Sequence, residues 1–152
     1  MKCLIDVHKF RNALLYLIEF ESHKILEIST TAWNGLSLFP HGACHIASNL
    51  LGVYLKELGH DVALISIKHS SVKFPCIKSH AWLEVANQYI DITASQFQSL
   101  TKARVLIQDK RKSEWLFDYA EEARSAGKYQ SHEPYLDDDI ADIYYLIIRK
   151  II

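Results

Sequence analysis

The chain holds one cysteine in a setting that suits nucleophilic chemistry. Cys44 stands where the irregular segment Phe39-Pro40-His41-Gly42-Ala43 gives way to an amphipathic stretch. At a helix N-terminus the unpaired backbone N–H groups and the helix dipole favour a thiolate over a thiol. The same N–H groups can donate to an oxyanion during acyl transfer. Gly42 lets a substrate carbonyl approach the backbone closely. Free cysteines also serve as small buried hydrophobes, so position alone leaves the role of Cys44 open.

A second constellation is His80-Ala81-Trp82-Leu83-Glu84-Val85, followed by Tyr89-Ile90-Asp91-Ile92-Thr93. Alternation along a strand sets His80, Trp82 and Glu84 on one face and Ala81, Leu83 and Val85 on the other. A two-residue turn at Ala86–Asn87 would pair Trp82 with Asp91 and make His80 a diagonal neighbour of that carboxylate. Such neighbours lie roughly 7–8 Å apart at the backbone, a gap these side chains bridge. A carboxylate there would fix the imidazole tautomer and stabilise the imidazolium. The plainer alternative is a strand-end histidine and an aspartate that never meet.

Together these elements resemble the transglutaminase-like branch of the papain-like cysteine hydrolases: a cysteine opening a helix, a His-Ala-Trp-x-Glu strand, then Asp-x-Thr on the next strand. The resemblance runs from about Phe39 to Phe97. It implies Cys44 as nucleophile, His80 as general base and acid, and Asp91 as the orienting residue. It also implies a nucleophile-bearing helix on a small antiparallel sheet, a protein or peptide substrate, and no cofactor. Where a papain-type peptidase keeps an oxyanion-hole glutamine, six positions before the cysteine, this chain has Leu38. Asn34 and the side chain of His41 are then the candidates for the second oxyanion donor, and Trp82 is expected in the cleft wall or the core. The chemistry is acyl transfer from an amide, by hydrolysis or glutamine deamidation, with transfer to an amine as the alternative.

Two readings of other classes compete. His41-x2-Cys44 and Cys76-x3-His80 have spacings that zinc tolerates, although a helix head and a strand start are unusual places for structural zinc pairs. A binding module without turnover would normally lose a catalytic residue, and here all three positions are filled.

The elements that must position these groups follow from periodicity. Phe10, Leu14, Leu17, Ile18, Ile25 and Ile28 predict helix from about Val7 to Ile28. Ser29–Pro40 reads as an apolar loop that packs against core or cleft. Cys44–Leu58 is helical, stopped by Gly59, and Asp61–Ile67 is a strand. Lys68–Ser79 is a polar connection, and two hairpin strands follow from His80. A short strand at Val105–Gln108, a helix near Glu114–Ser125 and a last helix from Asp137 to Lys150 complete an α+β pattern. Cleft walls are expected from Ser29–Pro40, Lys68–Ser79 and the segment after Thr93.

With 152 residues, no repeat and no Pro/Gly-rich linker, the chain is expected to form one domain, 1–152. A formal net charge of −1 gives no reason to expect a nucleic-acid partner or an anionic membrane surface. The basic clusters Lys102–Arg104 and Lys110–Lys112 are short and read as solvated faces. Three cysteines without regular spacing make no disulfide framework. Asp6, His8, Lys9 and Arg11 interrupt any signal-peptide core. A reducing cytosol is the expected compartment, with export by a machine that reads no cleavable signal left open.

Overall fold

Apolar side chains at helical spacing do fold the first part of the chain into helices, but as three segments. The computed structural model describes residues 3–151. Helix α1 (Leu4–Phe20) and helix α2 (Ser22–Ile28) are separated at Glu21, whose backbone leaves the helical region at φ −131°, ψ 31°. The single helix expected from Val7 to Ile28 is therefore broken. Glu21 forms ion pairs with Lys24 and with Lys150 near the far end of the chain, which fasten the corner. The apolar segment expected to be a loop contains α3 (Thr30–Leu36), and the Ser29 hydroxyl caps it by accepting from the Ala32 N–H at 3.1 Å.

Helix α4 (Cys44–Glu57) is followed by Gly59 in the left-handed region at φ 95°. Strand β1 (Val62–Ile67) pairs antiparallel with β2 (His80–Val85), which pairs with β3 (Gln88–Asp91). Beyond them lie β4 (Leu106–Asp109), α5 (Trp115–Ser125), β5 (Tyr129–His132) and α6 (Asp138–Ile151). The sheet order is β4-β3-β2-β1-β5, with every neighbouring pair antiparallel. Among the described residues the fold is thus α+β, with six α-helices and a five-stranded antiparallel sheet. None of these helices is long and apolar enough to cross a membrane.

The period-two pattern divides the core between two faces. Ala81, Leu83 and Val85 join Leu50, Leu51 and Leu55 of α4 and the inner faces of α1 and α6. Trp82, Tyr89, Ile65 and Ile67 face the other way and are covered by Leu116, Tyr119, Ala120 and Ala123 of α5. Helix α4 lies close on the sheet because Gly52 lacks a side chain. A Cβ there would meet Pro134 Cγ at 2.6 Å and Leu83 Cδ2 at 3.1 Å. Replacing glycine with alanine inside a helix would otherwise gain about 1 kcal/mol. The forced overpacking costs about 1–3 kcal/mol and wins, so Gly52→Ala is expected to lower the urea midpoint. A midpoint at or above wild type would mean that Pro134 yields freely.

Candidate active site

The hairpin between β2 and β3 sets the site. Its register runs Val85↔Gln88, Glu84↔Tyr89, Leu83↔Ile90, which leaves a two-residue turn at Ala86–Asn87. An even turn preserves the face, so His80 and Asp91 emerge on the same side of the sheet. They meet: His80 Nε2 lies 2.5 Å from Asp91 Oδ2, and both side chains are fully shielded from solvent. The second carboxylate oxygen, Oδ1, accepts from the Thr93 N–H at 2.9 Å and the Thr93 hydroxyl at 3.0 Å. Thr93 carries no chemical signal of its own in the sequence, although its spacing of two from the aspartate is what closes this small ring.

Aromatic rings wall the imidazole. Trp82 lies at 5.5 Å between ring centroids, Phe97 presents its edge at 4.8 Å, and Trp115 stacks at 6.3 Å. These rings exclude water from the His80–Asp91 contact, where a low dielectric strengthens the pair. Burial alone would push the imidazole pKa down. The Asp91 charge and hydrogen bond outweigh it, with a further upward contribution from Cys44, and His80 is raised to about 9.

With Nε2 committed to Asp91, Nδ1 is the ring nitrogen left for Cys44. Nδ1 is buried and has no hydrogen bond of good geometry, yet Cys44 is near enough to act on the ring. Cys44 is half-buried and is the first residue of α4, and its N-cap, Ala43, supplies no side-chain cap. The N–H groups of the first helical turn are therefore free to receive a developing oxyanion. Gly42, at φ 66°, turns the chain into the helix from the preceding loop.

Cys44 opens onto a cavity of about 430 Å³ that the buried His80 backs, and that is also lined by His45, Ser66, Lys68 and Ser79, and by Gln130 and His132. Lys68 and Ser79 bracket the connection expected to form one wall, and the segment after Thr93 contributes through β5. That connection is braced from α5: Glu122 accepts from the Lys73 N–H at 3.0 Å and the Ser71 hydroxyl at 3.1 Å, and contacts His69 Nε2 at 2.7 Å.

The four secondary site candidates fall elsewhere. Asn34 is exposed on α3, His41 and Gly42 are exposed in the turn before α4, and none of them lines the cavity. The third wall expected from Ser29–Pro40 is likewise absent from its lining. Trp82 is completely buried behind His80, so it belongs to the core rather than to a substrate-facing wall. Glu84 sits further along β2, paired with Lys110. The zinc arrangement fails on geometry. Among the described residues no three His, Cys, Asp or Glu side chains gather as metal ligands, and Cys76 is exposed with the Ser99 hydroxyl 3.7 Å from its sulfur.

Compared with protein-family models, with curated proteins and with solved structures, the chain finds no significant match.

Proposed function

We propose that the protein is a cysteine-nucleophile enzyme of the papain-like, transglutaminase-like kind, transferring the acyl group of a protein or peptide amide to water. The observation that carries this reading is the buried 2.5 Å His80–Asp91 pair directed at a cysteine on an uncapped helix N-terminus. A structural ion pair gains little from such complete burial, whereas a general acid–base needs a fixed tautomer and a tuned pKa.

The steps use only these groups. The Cys44 thiolate attacks the amide carbonyl carbon and forms the C–S bond, while the negative charge on oxygen is received by N–H groups of the first turn of α4. His80, protonated on Nδ1, gives that proton to the leaving nitrogen as the C–N bond breaks. The neutral imidazole then takes a proton from water, whose oxygen attacks the thioester. The C–S bond breaks, the acid departs, and the thiolate and imidazolium are restored. Asp91 stays ionised throughout, holding Nε2–H and stabilising the imidazolium.

A glutamine-containing peptide library, offered with and without excess primary amine and followed by mass, tests the reaction. Conversion of glutamine to glutamate is expected, or backbone cleavage if the cavity admits a main chain. Dominant amine adducts would overturn water as acceptor and make the enzyme an acyltransferase or transglutaminase.

A further inference from the structure

The cavity beside Cys44 is lined by bases without acids. Apart from Cys44 and His80, its titratable lining is Lys68, His45 and His132, and among the described residues no Asp or Glu lines it. The chain carries 18 Asp and Glu against 17 Lys and Arg, so composition does not explain this. Among the described residues, none of the three forms an ion pair. The basic run at Lys110–Lys112 behaves differently: Lys110 is paired with Glu84 and Arg111 with Asp109.

Sheet register explains the space between these bases. Ser66 pairs with Ala81 on one side and with Gln130 on the other, and Leu64 pairs with His132. Directly paired residues point to the same face, so small side chains make a floor beside the first turn of α4. His132 and Gln130 rise from the edge strand, Lys68 follows the end of β1, and His45 projects from the helix. The bases repel one another: His45 is pushed down by burial and then by the like charges of His132 and Lys68. An anion set among them would relieve that repulsion and accept their hydrogen bonds.

Resting on the amide chemistry proposed above, we infer that this cavity receives a carboxylate of the substrate, so that the enzyme selects acidic peptide segments. The carboxylate comes either from an Asp or Glu side chain near the reacting amide or from a free peptide C-terminus. Lys68 supplies the charge and the two histidines supply donors, while the neighbouring carbonyl is presented to Cys44.

Alkylation of Cys44 reads the cavity without requiring turnover. Iodoacetate and iodoacetamide bring the same electrophilic carbon, one with a carboxylate and one with a neutral amide. The ratio of their rates at Cys44, divided by that ratio for the urea-unfolded chain, is expected to be raised about tenfold by charge-assisted contacts. Lys68→Glu is expected to lower it by at least about tenfold, with Lys68→Met in between. In parallel, glutamine peptides flanked by Glu or by Lys are compared with blocked and free C-termini. Preference for an internal Glu in blocked peptides assigns the side chain as the source, and preference confined to free C-termini assigns the chain end. A normalised ratio near unity that ignores Lys68→Glu, with equal use of acidic and basic peptides, overturns the inference and leaves Cys44 as nucleophile. A raised ratio in a protein that turns over no peptide supports the anion site and counts instead against the amide chemistry.

Discussion

Cys44→Ala is expected to reduce amide turnover by at least about 10³-fold, since residues acting as a nucleophilic unit lose nearly all of its effect when one is removed. Stability should change by less than about 1 kcal/mol, because the side chain is only half-buried and alanine is tolerated at a helix start. The matching chemical result concerns selectivity among three free thiols. Cys3 is buried, and burial raises its pKa. Cys76 is exposed, lies on an irregular segment rather than at a helix start, and contacts the Ser99 hydroxyl at 3.7 Å. Cys44 has His80, which keeps its proton up to about 9. Limiting iodoacetamide at mildly acidic pH should therefore label Cys44 first, read by peptide mass mapping. Labelling led by Cys76, or turnover that survives Cys44→Ala, would remove Cys44 as the nucleophile. A wild type as inactive as Cys44→Ala on amide, ester and thioester substrates would instead make the protein a binding module without chemistry.

Features that rest on local period are legible in the sequence. The two strands that carry His80 and Asp91 follow from alternation, but that the turn between them has two residues, and so sets both on one face, is shown by the register. The helix after Cys44 follows from Leu50, Leu51, Leu55 and the stop at Gly59. Elements set by distant contacts leave no such local pattern. Glu21 breaks a helical pattern without any Gly or Pro, because its carboxylate is held by Lys24 and Lys150, the latter from the far end of the chain. Helix α3 has only seven residues, too few for periodicity to show, and its one signal was the Ser29 cap. Strand β5 is an edge strand whose residues are mostly exposed, so its sequence lacks alternation, and only pairing with β1 makes it a strand. Asn34, His41 and Gly42 lie outside the cavity lining for a related reason. They are near Cys44 only along the chain, whereas the cavity wall is assembled across the sheet from Ala81, Ser66 and Gln130. Non-local register has no local signature.

Asp91→Asn separates the electrostatic role of the carboxylate from its shape. Asparagine fills the same space and keeps an oxygen for Nε2–H, but it removes the charge that most raises the His80 pKa. Two effects with defined signs follow. A group whose folded pKa lies above its unfolded value stabilises the fold fully below the unfolded pKa, and that contribution fades as pH rises through the folded one. An unfolded histidine titrates near ~6.5, and His80 in the fold at about 9. Wild type should therefore exceed Asp91→Asn in stability by about 3–5 kcal/mol, the usual effect of breaking a buried pair, from above the carboxylate range up to about pH 6.5. The gap should narrow steadily towards pH 9, as urea unfolding at a series of pH values would show. Activity carries the second sign. Protonation of the leaving nitrogen needs imidazolium, so the alkaline limb of the wild-type rate should fall near the folded His80 pKa. In Asp91→Asn that limb should move to lower pH, with kcat/KM at its optimum reduced by about 10²–10⁴-fold. A purely structural pair would lose stability in the same pH window but leave the alkaline limb where it was. An unmoved limb in a folded Asp91→Asn protein would therefore remove His80 from the proton transfers, even if Cys44 remained essential.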